Sequence, residues 1–413
     1  MIEKIKKLLT GGETRAYLSK TFFVYGFIAL SIIVMKILIA RLYGQEALGI
    51  FTYFFSLVSL AFLFTSFGIP EALTQIIIKT PEKLKSGIRY SLLLSIPLTI
   101  LFIGITILVT SYIKINPDLP YFNLAFALYI ITYSLHYFTY SILRGYKKFV
   151  SASIYSLLNR LFFITFAIGL GLYLSEFINV LFALSLSLFL ATLISLPEIG
   201  KWKIPKQVSL DFKKFIYLAF SLFLMQVSFY SLRFVDALMI TYLVDLSSLG
   251  LYSAFGSVTN TIRLLGYVFP MVVVPMAAIS KFKLKESLRK IMKLLIPFSL
   301  LVLGGSYFVV PLFYGVEYSA PYLPIFLVIS STLLIIYSYF NSIFVGENEF
   351  SPFYLKILLA DFGLSLILNT ILNYAFISTF GIIGAPVATA ITIAVKIWLN
   401  VWGIHKLRIQ SSG

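Results

Sequence analysis

The sequence predicts an all-α integral membrane protein of about twelve transmembrane helices, set out as two six-helix lobes related by a pseudo-twofold axis along the membrane normal. Three observations carry this: a composition too apolar for a soluble core, apolar runs of helical length along the whole chain, and a second half that echoes the first. Of 413 residues, 60% are apolar and 12% charged, and mean hydropathy is +0.96. A water-soluble domain has no interior large enough for that much apolar surface. Crossing a hydrocarbon core of roughly 30 Å takes about 20 helical residues, which leaves room for about twelve crossings and short loops.

Apolar runs and breakers place the spans at residues 20–43, 46–69, 88–113, 120–143, 151–174, 176–197, 213–243, 247–272, 288–312, 320–345, 352–377 and 381–403. The runs are continuously apolar rather than alternating, which selects helices over a membrane barrel. The first run is too long for a signal-peptide core and is expected to remain in the mature chain. Ahead of it, residues 1–19 place Ile2, Ile5 and Leu9 on one helical face with lysines elsewhere, as in an interfacial helix; a solvated basic tail fits equally well.

Basic residues crowd into alternate inter-span segments, and the segments between them carry Lys114 alone. That asymmetry puts both termini on the cytoplasmic side of a cell membrane. The acidic stretch Gly346 to Ser351, assigned inside, goes against the trend. The net charge of +17 is therefore a sign of membrane orientation and not of a nucleic-acid face. The chain has no cysteine, which excludes disulfides, thiolate metal sites and a thiol nucleophile. No phosphate-binding G-x-x-x-x-GK[ST] loop is present, so ATP is not its direct drive.

The halves repeat at an offset of 200 to 201 residues. LGIFTYFFSLV from Leu48 aligns with LGLYSAFGSVT from Leu249, pairing Gly49 with Gly250. KLKSGIRYSLLLSIP from Lys83 aligns with KLKESLRKIMKLLIP from Lys283, and SILRGYKKF from Ser141 with SIFVGENEF from Ser342. Three matches in one order at one offset indicate duplication. The expected organisation is an N-lobe at residues 20–197, a polar cytoplasmic linker at 198–212, a C-lobe at 213–403 and a cytoplasmic tail at 404–413.

RLYGQEALGIF after the first span, RGYKKF after the fourth, LGLYSAF opening the eighth, PLFYGVEYSAPYLPIF between the ninth and tenth, and FGIIGAPVATAI opening the twelfth resemble, in this order and spacing, the polysaccharide transporter or O-antigen flippase family. That family lies within the superfamily of multidrug and toxin extruders and lipid II flippases. The resemblance implies a two-lobe secondary transporter, not an enzyme, in a prokaryotic cell membrane. It implies a carrier working as a monomer that moves a polyprenyl-diphosphate-linked oligosaccharide from the cytoplasmic to the outer leaflet by alternating access. A cation-coupled multidrug extruder and a membrane-embedded glycan polymerase or transferase are the competing readings. An extruder calls for an acidic cavity, and an enzyme for a large outer loop or a catalytic pair, which the short outer segments lack.

Within the spans lie Lys36, Arg160, Arg233, Arg263 and Lys396 against Asp236 and Asp361. A charge at mid-bilayer costs about 3 kcal/mol on insertion scales, so it faces protein or a watery cavity. The five cations are the candidate substrate-binding set, since arginine grips phosphate oxygens through paired hydrogen bonds. Plainer roles stand beside this one: Lys36 and Lys396 lie near helix ends and are able to snorkel, and Arg233 and Asp236 are spaced to neutralise each other. His136, in YSLHYFTY, reads as a packing histidine.

Asp361, Ser365, Asn369 and Asn373 recur every four residues and form a slowly rotating polar stripe. Superfamily relatives carry a sodium site in the C-terminal lobe, and the resemblance assigns its metal ligands to Asp236, Asn369, Asn373 and Thr389, with a backbone carbonyl near Ala385. Sodium is then the coupling ion, with no other cofactor. Asn373 departs from the pattern, because some relatives have a carboxylate there, and one negative charge instead of two weakens cation binding.

Overall fold

The computed structural model describes residues 12–113, 117–173, 176–200, 209–266, 273, 284–348 and 352–410. The interfacial helix expected at residues 1–19 falls mostly outside them, as do most of the linker and the proline-containing stretch after Gly266. Among the described residues every regular element is helical: α1 Gly12–Ser66, α2 Ile69–Lys79, α3 Leu84–Ile113, α4 Phe122–Gly145, α5 Phe149–Tyr173, α6 Ile178–Gly200, α7 Phe212–Leu243, α8 Leu246–Gly266, α9 Leu284–Phe313, α10 Leu323–Asn348, α11 Pro352–Gly363, α12 Asn369–Phe380 and α13 Gly384–Gln410. A π-helical turn, Leu364–Leu368, joins α11 to α12.

Eight helical stretches among the described residues are long and apolar enough to cross a membrane. Two are compound. Leu30–Ser66 contains Gly44 at φ 88°, a backbone conformation that costs glycine little and breaks α1 where the sequence ends the first span. Phe353–Arg408 contains the turn at Gly381. The tyrosine-rich α4 is not among the eight, because phenol hydroxyls lower its hydropathy. On α3, Leu93, Ile96, Ile100, Leu101 and Leu108 are all exposed, reaching 71% at Leu108, and on α9 Leu294, Leu300, Leu301, Phe308 and Leu312 do the same. Apolar faces of that extent belong in lipid.

The element the sequence reading lacks is α2. Phe67 and Gly68 both take left-handed φ, Pro70 sits in the first turn, and Ile69, Ala72, Leu73, Ile76 and Ile77 are buried at helical spacing. Gly68 and Pro70 look like a terminus in sequence, yet here they redirect the chain into a further helix.

The chain divides into two compact units: Met1–Met35 with Leu57–Gln226, and Lys36–Ser56 with Val227–Gly413. These cuts differ from the expected lobe boundaries, for a packing reason. In the first unit, Phe67 stacks on Phe223 at 4.7 Å and Tyr90 meets Phe212 at 4.9 Å, which holds the start of α7 there. In the second, a Cβ at Gly49 would lie 1.8 Å from the Leu246 carbonyl oxygen, and one at Gly250 would lie 2.1 Å from that of Gln45. Only glycine permits this backbone-to-backbone approach, so residues 36–56 belong with α8. The two contacts are repeat-related, since adding the offset of 201 turns Gln45 into Leu246 and Gly49 into Gly250. Thr52 and Ser253, also 201 apart, bond directly at 2.7 Å.

Candidate functional site

Three of the five candidate cations, Lys36, Arg233 and Arg263, line one cleft of the second unit, together with Thr52, Tyr252 and Asn260. Each comes from a different helix, α1, α7 and α8. The Lys36 ammonium, on a side chain 5% exposed, donates to Ser253 Oγ at 2.7 Å, and Ser253 also accepts from Thr52. Arg263 is half-buried and donates through Nε to Ser331 Oγ at 3.1 Å on α10. Arg233 is exposed. Lys36 and Arg263 are each held by a serine hydroxyl, and Arg263 also feels the Asp236 carboxylate, so the cleft gathers basic side chains from three helices.

Arg160 and Lys396 lie elsewhere. Arg160 belongs to the first unit, where it interacts electrostatically with Tyr129, Tyr133 and His136. The neighbouring Asn159 accepts from Ser187 Oγ at 2.9 Å. His136 Nδ1 meets Thr192 Oγ1 at 3.3 Å, as a packing histidine does. Lys396 is fully buried and 3.6 Å from the Asp361 carboxylate, so it neither snorkels nor lines the cleft. Arg41 uses its Nε and Nη2 to cap α9 through the carbonyls of Phe313 and Leu312, at 2.7 and 2.8 Å.

The four residues assigned as cation ligands converge. The Asp236 carboxylate, completely buried on α7, accepts from Thr389 at 2.7 and 2.8 Å, from Asn373 Nδ2 at 3.0 Å and from Tyr252 at 3.0 Å. Asn369 Nδ2 approaches the same carboxylate at 3.5 Å, while its Oδ1 accepts from Thr392 at 3.2 Å. Arg233, one turn before Asp236, lines the cleft. Asn373 Oδ1 is buried with no hydrogen-bond partner among the described residues. One carboxylate, a hydroxyl and two amides gather here, with the amides turning Nδ2 toward the carboxylate. Among the described residues no cluster of three histidine, cysteine or acidic side chains fits a transition metal.

The polar stripe stays in register because of the π turn. Twelve residues from Asp361 to Asn373 at about 100° each overshoot three turns by roughly 120°, and the extra residue in a π turn removes about 100° of that. Asp361, Ser365, Asn369 and Asn373 are accordingly all at most 2% exposed.

Asp361 has its own setting. Tyr337 donates its hydroxyl to Oδ2, and Lys396 Nζ bonds to the Ser228 carbonyl and, at 2.7 Å, to Ser365 Oγ, with the Tyr337 ring centroid 4.2 Å away. Sequence reasoning named both charges without pairing them; opposite charges on two late spans were the available signal. It missed Tyr252, Ser253, Tyr337 and Ser228, which carry no charge and look like ordinary span residues.

A family model described as polysaccharide biosynthesis protein matches residues 19–283. No curated protein sequence matches the chain. Among solved structures, it is similar to the lipid II flippase MurJ in an inward closed conformation, with TM-score 0.68, 17% identity and coverage of 93% of this chain and 87% of that one. An inward-facing multidrug resistance MATE family transporter of the MOP superfamily gives TM-score 0.65 at 17% identity, covering 93% and 95%. A MOP superfamily transporter from Pyrococcus furiosus, titled for the reverse polarity of its binding pocket, gives 0.51 at 16% identity, covering 98% of each chain. At these identities the likeness is one of fold.

Proposed function

The chain belongs to the polysaccharide biosynthesis protein family, and from that premise we propose that it is a flippase for a polyprenyl-diphosphate-linked oligosaccharide. In this reading it has twelve spans in two pseudo-symmetric lobes and both termini in the cytoplasm of a prokaryote. It carries its cargo from the cytoplasmic to the outer leaflet by alternating access. The repeat-related contacts of Gly49, Gly250, Thr52 and Ser253 support the duplicated architecture.

The observation that carries the cargo is the cleft where Lys36, Arg233 and Arg263 meet. A diphosphate crossing the bilayer needs its hydration replaced, and three cations supply charge-assisted donors. A cationic drug would be repelled by the same cleft, which sets the multidrug reading second. The Asp236, Asn369, Asn373 and Thr389 cluster is the proposed sodium site, with the orphaned Asn373 Oδ1 as its spare ligand. Arg160 and Lys396 fall outside the cleft and are not retained as headgroup ligands in this reading.

The test is leaflet transfer of a fluorescent polyprenyl-diphosphate sugar in proteoliposomes, read by an impermeant quencher. Lys36→Ala, Arg233→Ala and Arg263→Ala each remove one charged donor, about 1.5–3 kcal/mol, and are expected to lower transfer about 10- to 100-fold. Rates unchanged in all three variants refute the cationic-cleft mechanism.

A further inference from the structure

Two groups of buried polar residues in the second unit are strung along the same three helical segments. The first is Asp236 on α7, Asn369 and Asn373 on α12, and Thr389 on α13, with Tyr252 donating to the carboxylate. The second is Ser228 on α7, Asp361 on α11 with Ser365 in the π turn, and Lys396 on α13, with Tyr337 donating to the carboxylate. Ser228 lies eight residues before Asp236, Asp361 eight before Asn369, and Lys396 seven after Thr389. Seven or eight helical residues are about two turns, roughly 11–12 Å, so each segment contributes to both groups at the same separation. The running directions agree, since α13 places its second-group residue later in sequence where α7 and α11 place theirs earlier.

What differs is the residue at the centre. In the second group the Lys396 ammonium sits among the Ser228 carbonyl, the Ser365 hydroxyl at 2.7 Å, the face of Tyr337 at 4.2 Å and the Asp361 carboxylate at 3.6 Å. The carboxylate distance is too long for a direct charged hydrogen bond, so the nitrogen is surrounded by oxygens as an ion is. Asp361 Oδ1 keeps a buried lone pair with no partner among the described residues. An ammonium is a compact point charge, close to a monovalent metal ion in its demands.

We propose that Lys396 is a tethered cation filling a second cation station of this unit, and that the station binds a free alkali-metal ion once the ammonium is removed. Its ligands are then the Asp361 carboxylate, the Ser228 carbonyl and the Ser365 hydroxyl. In the native chain the lysine permanently occupies that station, so the unit takes up one free cation, at Asp236, and not two. This last clause rests on the sodium reading of the Asp236 cluster; the station itself does not.

The experiment is equilibrium binding of radiolabelled sodium and rubidium to the purified full-length chain in detergent, with choline balancing ionic strength. Lys396→Thr gives the second group the same α13 residue as the first, and is expected to bind one more ion than the parent. Adding Asp361→Asn removes that ion, while adding Asp236→Asn leaves it. If the Asp236 reading fails, the parent binds none and Asp236→Asn changes nothing, yet the ion gained by Lys396→Thr persists. Lys396→Ala is the second variant, followed by its thermal midpoint in sodium, rubidium or choline chloride; a rise in either metal salt is expected. A Lys396→Thr chain that gains neither ion, or gains one that Asp361→Asn does not remove, overturns the proposal, as does a Lys396→Ala chain whose midpoint is the same in all three salts.

Discussion

Gly49→Ala strikes the contact that assembles the second unit. Its Cβ would stand 1.8 Å from the Leu246 carbonyl oxygen and 2.7 Å from the carbonyl carbon, both backbone atoms of an adjoining segment. Restoring even 3.0 Å separates the segments by 1.2 Å. The same movement takes the 2.7 Å bonds from Lys36 and Thr52 to Ser253 out to about 3.9 Å, beyond hydrogen-bonding reach. Losing one charged and one neutral buried hydrogen bond removes roughly 2.5–4 kcal/mol, and overpacking adds about 1–3 kcal/mol. We therefore expect Gly49→Ala to destabilise by about 3.5–7 kcal/mol, with Gly250→Ala comparable, since its Cβ meets the Gln45 carbonyl at 2.1 Å. The double variant falls short of the sum, because one separation relieves both clashes. Unfolding in mixed micelles, followed by circular dichroism, measures all three. Single variants within about 0.5 kcal/mol of the parent, or a strictly additive pair, refute the close approach.

Two further outcomes follow from the same structure. The chain has no cysteine, so single cysteines report topology without background: Glu82→Cys and Lys148→Cys are expected to react with an impermeant maleimide only after cell lysis, and Asp118→Cys and Val316→Cys in intact cells. Asp118→Cys or Val316→Cys protected in intact cells would break the twelve-span scheme. Asp236→Asn removes the one carboxylate of the proposed sodium site while keeping its shape, and is expected to abolish any difference in transfer between sodium and choline; a sodium dependence that survives it places the coupling ion elsewhere.

Most of the helical plan was legible because lipid imposes one rule everywhere: about twenty apolar residues, then a polar break. Gly44 marked a break that the structure realises through φ 88°. The helix Ile69–Lys79 was not legible, since Gly68 and Pro70 are the same residues whether a helix ends or restarts on a new course. The Asp236 cluster was readable only through resemblance, because residues on three different segments have no common spacing. The setting of Lys396 was not legible for a physical reason: its sequence position near a helix end says nothing about whether the ammonium reaches headgroups or turns inward to a carboxylate. The compact units cut α7 within its length because side chains such as Phe220 and Phe223, not the polar linker, decide which neighbours a helix keeps.

The cleft and the proposed ion site touch through neighbouring residues of α8. Tyr252 lines the cleft and gives its hydroxyl to Asp236, while Ser253 takes the Lys36 ammonium. An ion at Asp236 competes with Tyr252 for the carboxylate, and an anion in the cleft competes with Ser253 for Lys36. Each ligand therefore alters hydrogen bonds one residue from those the other uses. Coupling of this kind is bounded by the bonds exchanged, here one neutral-to-charged and one charged-to-neutral, or about 1–3 kcal/mol. On the proposed reading, that is sufficient for an ion to bias when the cationic cleft takes or releases a phosphate, and too little to make the ion indispensable to binding. Because linkage is reciprocal, the proposed coupling requires a diphosphate lipid in the cleft to shift sodium affinity by the same factor, and a sodium affinity that the lipid leaves unchanged refutes it.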